Sequence, residues 1–211
     1  ENNSENKETF AYYEALKGRY DNVRILTWKK EFNYSSINNF AVKEARGEYL
    51  LFLNNDVEII TPSWIEEMLQ NCQQDGVGIT GAKLYYPDDT IQHAGVVVGL
   101  GGIAGHIMCK APRETVGYMG RMVCVQEMSA VTAACMLVKA SVFREVGGFD
   151  EELKVAFNDI DFCMKVRSVG QKVVFTPYAE LYHYESKSRG LEDTPEPIFG
   201  EDKVLTKKNY P

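Results

Sequence analysis

Over the first 86 residues, apolar positions at helical spacing alternate with short unbroken apolar runs. Phe10, Tyr13 and Leu16 mark one face of a helix over 5–16, with Gly18 as its stop. Val23–Thr27 reads as a short strand, followed by a loop over 29–33. A second helix, capped by Ser35 or Ser36, turns Ile37, Phe40, Ala41 and Ala45 inward and ends at Gly47. Tyr49–Leu53 is an unbroken apolar run, the pattern of a strand buried on both faces. Thr61-Pro62 supplies a cap followed by proline at the first helical position, and Trp64, Ile65, Met68 and Leu69 form the apolar face of that helix. A strand over 77–83 completes an αβαβαβ order, which predicts right-handed crossovers and a parallel, doubly wound sheet.

Beyond Tyr86 the texture changes. Pro87-Asp88-Asp89 is a turn, Val96–Val98 a strand, and Gly99–His106 a glycine-rich loop. The stretch 110–120 has no clear period. Val125–Val138 is apolar with small residues and reads as a strand passing under a site. A short helix over 140–146 stops at Gly147-Gly148, and a longer one over 160–169, with Phe162, Cys163 and Val166 inward, stops at Gly170. Val173–Thr176 is the last strand, and the sequence after Gly190 is rich in proline and charge.

Composition narrows the partners. The 211 residues carry a net charge of −7 with no basic stripe, which argues against nucleic acid as the main partner. No apolar run is long enough to cross a bilayer, so any membrane association would come through parts outside this chain. The five cysteines, Cys72, Cys109, Cys124, Cys135 and Cys163, are odd in number and irregularly spaced, with no C-x-x-C. That pattern favours buried, reduced thiols of a cytoplasmic protein over disulfides or zinc.

Three clusters are candidates for chemistry. The run Tyr49–Leu53 ends at Asn54-Asn55-Asp56. Ligands of open α/β sheets sit at the carboxyl ends of strands, and these side-chain oxygens suit a hard cation such as Mg²⁺ or Mn²⁺; an ordinary polar turn is the alternative. Asn158-Asp159-Ile160-Asp161 stands at a helix start. There an aspartate is either an N-cap or a general base, and residues two apart do not share a helix face. His183 follows the last strand and precedes Lys187 and Arg189. It is a metal-ligand candidate or a half-exposed edge histidine, and the two cations either meet phosphate oxygens or stay solvated. Gly99-Leu-Gly101-Gly-Ile-Ala104 matches a dinucleotide fingerprint, but Pro112 follows closely and no long helix opens, so a loop is expected there.

Taken together, Glu1–Ser4, Phe32–Asn39, Ala45–Asp56, Gly147–Asp150, Asn158–Asp161 and His183–Arg189 resemble, in order and over nearly the whole chain, a family 2 glycosyltransferase. The likeness is to the bacterial branch that builds surface polysaccharides, rhamnosyltransferase-like, with the GT-A fold. The resemblance implies an α/β fold with a mostly parallel sheet flanked by helices. It implies one domain over 1–190, with a nucleotide and metal half over 1–86, an acceptor half over 87–190 and a tail over 191–211. It further implies a divalent cation, Mg²⁺ or Mn²⁺, held by Asp56 with Asn54 and His183. Asn55, Lys187 and Arg189 would lie near the donor diphosphate. Asp159 is the implied catalytic base, with Asp161 as fallback.

In the family the chain opens with two strands, the second ending in a nucleotide-contacting aspartate. Glu1 takes that position here, so this piece is expected to bind donor weakly. The implied partners are a nucleotide-sugar donor and a glycan or lipid-linked saccharide acceptor, at the cytoplasmic side of the cell membrane. A non-catalytic module of the same fold is the rival reading. A sugar nucleotidyltransferase lacks its phosphate-gripping loop here.

Overall fold

The computed structural model describes residues 6–184 and 208. Helix α1 (Lys7–Arg19) is capped by Asn6, whose side chain accepts from the Glu8 N–H, and it buries none of its residues. No strand forms over 23–27, where only Thr27 makes an isolated bridge, so the short strand expected there is absent. Helix α2 (Tyr34–Val42) is capped by Asn33, which accepts from Ser36 N–H at 2.9 Å, and it ends before Gly47 is reached. Ser35 and Ser36, the expected caps, instead use their hydroxyls to hold Leu153 O at 2.6 Å and a Glu151 carboxylate oxygen at 2.7 Å.

The remaining elements are β1 (Tyr49–Leu53), β2 (Val57–Ile59), α3 (Trp64–Cys72), β3 (Val77–Tyr85), β4 (Ile91–His93), β5 (Val96–Val98), β6 (Ala104–His106), a 3₁₀ segment at Tyr118–Val123, β7 (Gln126–Glu127), β8 (Cys135–Lys139), α4 (Ala140–Glu145), α5 (Asn158–Ser168) and β9 (Lys172–His183). Helix α3 starts two residues later than expected, after Ser63. The fingerprint-like Gly99–Ala104 stretch closes the β5–β6 hairpin, as its lack of a following helix requires. All five cysteines are free; Cys72, Cys135 and Cys163 are buried, whereas Cys109 and Cys124 are exposed.

The main sheet runs β1-β8-β3-β9-β2, with β4 added beside β3 and β7 beside β9. Strands β1, β3 and β9 point the same way, but β8 inserts antiparallel between β1 and β3, so β3–β9 is the parallel pair. The sheet is thus mixed where a continuous parallel one was expected, because the chain after β7 returns as β8 rather than crossing over. The doubly buried strand is β3, every residue of which is enclosed; in β1, Leu51 and Leu53 lie on an open face at 36% and 41% exposure.

Helix α3 covers one face with Trp64, Met68 and Cys72 against Ala82, Leu84, Leu137 and Leu181. Helices α4 and α5 cover the other. There Phe52, Phe143, Phe149 and Phe162 stack with ring centroids 4.8–5.6 Å apart, a spacing at which aromatic pairs add to area burial.

Two glycines let backbone cross β3. A Cβ on Gly81 would stand 2.5 Å from Val131 Cβ, and one on Gly78 would stand 2.8 Å from Val166 Cγ1. Gly81 therefore fixes how closely the 130–134 segment lies on the sheet. Replacing Gly81 with alanine should destabilise the fold by about 1–3 kcal/mol in urea unfolding, the usual penalty for overpacking. Adding Val131→Ala should recover part of that loss, so the double variant is more stable than the sum of the singles predicts. Strict additivity would show that this contact is not the constraint.

Candidate functional site

Sheet pairing puts the first cluster beside the third. Val57 pairs with His183 across β2 and β9, and Tyr184 N–H donates to Asp56 O at 2.9 Å. This brings Asp56 Oδ1 to 3.2 Å from His183 Nε2. Asp56 Oδ1 is buried and accepts no hydrogen bond from the described residues.

The His183 ring is itself held in one orientation. Gln92 takes its Nδ1–H on Oε1 at 2.7 Å and donates from Nε2 to the His183 carbonyl at 3.2 Å. With both ends of the Gln92 amide assigned, the neutral His183 ring carries its proton on Nδ1 and turns the lone pair of Nε2 toward Asp56. Asn54 meets the same nitrogen through its Nδ2, at 3.1 Å. The amide nitrogen, not the oxygen expected to face a cation, thus occupies that position; rotating the amide by half a turn exchanges the two. Asn55 is exposed at the turn.

The second cluster approaches through the 130–134 segment. Asn54 N–H donates to Ala134 O at 2.9 Å. One residue earlier, Ala133 N–H donates to Asp159 Oδ2 at 3.3 Å, and Ala133 O accepts from Tyr34 Oη–H at 3.1 Å. Burial, and after it the Asp159 charge, pushes the Tyr34 phenol well above its ordinary range, so it stays a donor. Asp56, His183 and Asp159 therefore gather around one strand-end region, each no more than a few bonds from Asn54 or Ala133.

The two aspartates of α5 part company. Asp159 is half-buried and anchored on backbone N–H groups, with Oδ1 accepting from Ile160 at 2.8 Å. Asp161 is fully buried and paired with Lys165 at 3.2 Å and Lys208 at 2.6 Å; Lys208 also meets Asp150. Phe157, which precedes the helix, adopts a left-handed backbone at φ 59°, a strained conformation for a bulky residue directly beside the cluster. Asn158 Nδ2 is buried with no partner among the described residues.

The stretch Asn33–Asn39 positions this helix start. Asn33 donates to Glu151 O at 2.9 Å, Tyr34 N–H donates to Lys154 O at 2.7 Å, and Asn39 exchanges hydrogen bonds with the Phe149 backbone at 2.9 and 3.0 Å. Gly148, at φ +72°, makes room: a Cβ there would fall 2.6 Å from Asn39 Oδ1. Glu1, Lys187 and Arg189 lie outside the described residues, as does the tail over 191–211 apart from Lys208.

The sequence reading missed Gln92, His93, His106 and Tyr34. Gln92 and His93 are two polar residues between Ile91 and Ala94, His106 ends a glycine-rich stretch and Tyr34 stands among Asn and Ser residues, so only the position of its partner gives each its meaning. It also missed Arg113, which fastens the stretch after β6 to the sheet. Arg113 pairs with Asp89 at 3.3 Å and Glu180 at 3.2 Å and lies over the Tyr85 ring at 4.7 Å. Among the described residues no group of three or more His, Cys, Asp or Glu could hold a metal ion by itself.

Comparison with known proteins places this geometry. The family model for glycosyl transferase family 2 matches residues 1–147. The O-antigen biosynthesis protein RfbC of Myxococcus xanthus is 41% identical over 198 residues, covering 92% of this chain and 15% of that protein. An uncharacterized protein, y4gI, of Sinorhizobium fredii is 52% identical over 197 residues, 93% of this chain and 22% of that one. The chain thus spans about a fifth of the length of these relatives. At 24% identity over 208 residues, it also matches the N-acetylglucosaminyl-diphospho-decaprenol L-rhamnosyltransferase of Mycobacterium tuberculosis, covering 90% of this chain and 67% of that protein.

Among solved structures, GalNAc-T7 with UDP, GalNAc and Mn²⁺ superposes with a TM-score of 0.70 at 14% identity, over 98% of this chain and 40% of that one. S. aureus TarS 1–349 with UDP-GlcNAc gives 0.62 at 15% identity, over 95% of this chain and 54% of that one. The mixed, helix-flanked sheet is the GT-A fold these transferases share. The family match, which covers more than half of the chain, shows that it belongs to glycosyl transferase family 2.

Proposed function

We propose that the chain is the donor-binding and catalytic unit of an inverting glycosyltransferase. It would move a sugar from a nucleotide-sugar to a hydroxyl of a glycan or lipid-linked saccharide in bacterial surface-polysaccharide synthesis. The observation that carries the reading is the 3.2 Å approach of Asp56 Oδ1 to His183 Nε2. A carboxylate oxygen and a ring lone pair repel at that distance, and Asp56 Oδ1 is buried with no hydrogen-bond partner among the described residues. A positive charge shared between them removes both problems. Oxygen and imidazole nitrogen suit Mg²⁺ or Mn²⁺, and such ions complete their coordination from substrate phosphates rather than from a full protein cage. Two protein ligands, with Asn54 Oδ1 as a third after an amide turn, therefore fit a cation that arrives with a diphosphate. When bound, the ion supplies charge that offsets the negative charge growing on the leaving diphosphate.

The chain's own groups do the rest. Asp159 removes the proton from the acceptor hydroxyl. The freed oxygen attacks the anomeric carbon opposite the diphosphate; the new C–O bond forms as the bond to phosphate oxygen breaks, and the diphosphate leaves with the electron pair. The N–H groups of Ala133 and Ile160 hold the Asp159 carboxylate at the start of α5 and aim it. Asp161, tied to Lys165 and Lys208, is the poorer base, because its charge is already matched in a buried site.

Support for the substrate classes comes from the relatives: the named complexes hold UDP or UDP-GlcNAc, and the mycobacterial enzyme is named for a diphospho-decaprenol-linked saccharide. We read residues 1–86 as the nucleotide and metal half and 87–190 as the acceptor half. Work at the cytoplasmic membrane face is part of the proposal; no helix among the described residues is long and apolar enough to cross a membrane.

In the intact protein, Asp159→Asn should lower kcat by about 10²–10⁴-fold while donor affinity, measured calorimetrically, stays within a few fold. Wild-type turnover by that variant would remove Asp159 as the base. Asp56→Ala should abolish donor-dependent Mn²⁺ binding in a titration followed by electron paramagnetic resonance. Gln92→Leu, which touches neither donor nor ion, should weaken Mn²⁺ by about 10–100-fold through loss of the fixed His183 tautomer; unchanged Mn²⁺ affinity would show that the ion binds elsewhere.

A further inference from the structure

All three histidines of the chain, His93, His106 and His183, meet in one region, and the function proposed above employs only the last. His93 lies on β4 next to Gln92 and is 1% exposed. Its Nε2 is 3.4 Å from the Thr132 backbone nitrogen, and its Nδ1 is 2.9 Å from Nδ1 of His106 on β6. The two rings meet edge to face at 78°, centroids 4.9 Å apart.

A backbone N–H can only donate, so Nε2 of His93 accepts. The neutral ring then carries its proton on Nδ1, and burial, followed by the charges of His106 and His183, disfavours a second proton. Nδ1–H of His93 must therefore donate to His106, which leaves Nδ1 of His106 bare and its own proton on Nε2. One bond fixes the next, from the exposed His106 through the buried His93 to Thr132.

Thr132 opens the stretch on which the site hangs. Ala133 N–H holds Asp159 Oδ2, and Ala134 O accepts from Asn54 N–H. We propose that His106 and His93 form a two-ring relay that positions Thr132–Ala134, and through it the carboxylate of Asp159. Both are positioning residues, and the proposal rests on the glycosyl-transfer reading for its effect on rate. Gln92 and His93, adjacent on one strand, then serve the two sides of the site: Gln92 fixes His183 and His93 fixes the segment that anchors Asp159. His106 is the place to test the relay, because it is exposed and its removal opens no core cavity. Without it, the Nδ1–H of His93 is a buried donor with no acceptor, and the alternative tautomer sets N–H against the Thr132 N–H.

The test has two arms on the intact protein. Long-range ¹H–¹⁵N correlation spectra of ¹⁵N-histidine-labelled protein, with Mg²⁺ in place of Mn²⁺, should show His93 as the Nδ1–H tautomer and His106 as the Nε2–H tautomer at neutral pH. The opposite tautomer at His93, or an imidazolium there, overturns the relay whether or not the protein is active. In the kinetic arm, His106→Ala should lower kcat by about tenfold with donor KM within about twofold, the signature of lost positioning rather than lost binding. His106→Asn, whose Oδ1 can take the place of Nδ1, should restore kcat to within about threefold of wild type and keep the His93 tautomer. Equal kcat for the alanine variant and wild type, or for the alanine and asparagine variants, overturns it. If Asp159→Asn is dead while His106→Ala is fully active, the relay alone fails. If Asp159→Asn is fully active, the carboxylate that the relay is said to position is not the base and the relay has no effect on rate. If the wild-type protein transfers no sugar while the spectra show the expected tautomers, the underlying transferase reading fails and the relay geometry stands.

Discussion

The close approach of the 130–134 backbone to the sheet is the constraint on which the site depends. Gly81 has no side chain, and Val131 sits where one would be. Val96 fixes the segment from its other side by exchanging backbone hydrogen bonds with Ala130. Every later group is hung from it: Tyr34 and Asp159 on Ala133, Asn54 on Ala134, and His93 on Thr132. These are mostly backbone contacts, which depend on where the main chain runs and little on the side chains of the segment. A segment of Val, Thr and Ala can therefore organise polar chemistry while looking like plain core.

The same economy explains why two aspartates of one helical turn do different things. They are two residues apart, so their side chains leave the helix on different faces. One face meets backbone N–H groups and partial solvent, the other a closed pocket with two lysines. A carboxylate in the first setting is stabilised yet still reachable; in the second it is neutralised and enclosed, and its part is to hold the helix start against the chain around Asp150 and Lys208. Removing either lysine would leave a buried charge with less compensation, whereas Asp159 faces no such penalty. Environment, more than residue type, assigns the roles.

Much of this was legible in the sequence, and the omissions have physical causes. The ends of β1 and β9 were found because polar residues follow an apolar run abruptly, and Asn54, Asp56 and His183 do converge. The helix with Asp159 was found from its apolar spacing. The double burial assigned to Tyr49–Leu53 belongs to β3, whose Gly78, Thr80, Gly81 and Lys83 disguise a central strand. Those residues are small or polar because other backbone and a single buried ammonium bond need the space: Lys83 reaches Met122 O at 3.2 Å. The antiparallel entry of β8 was invisible, since strand direction depends on where a return loop travels and not on local pattern. Val23–Thr27 has strand-forming residues, but among the described residues no neighbouring strand offers a ladder, and propensity alone does not hold a strand.

The dipeptide Gln92–His93 ties these threads together. Successive residues on a strand point to opposite sides, so one short strand can address two neighbours at once. Gln92 turns to His183, at the end of β9; His93 turns to Thr132 and His106. The position of the ring that would face the cation and that of the carboxylate that would face the acceptor are then referred to the same piece of backbone. Transfer requires the attacking oxygen and the leaving diphosphate to lie in line across one carbon, and a misplacement of about 1 Å is enough to cost about a hundredfold in rate. A common anchor limits the relative error between the two sides more effectively than two independent anchors would, because a shift of β4 carries both groups together.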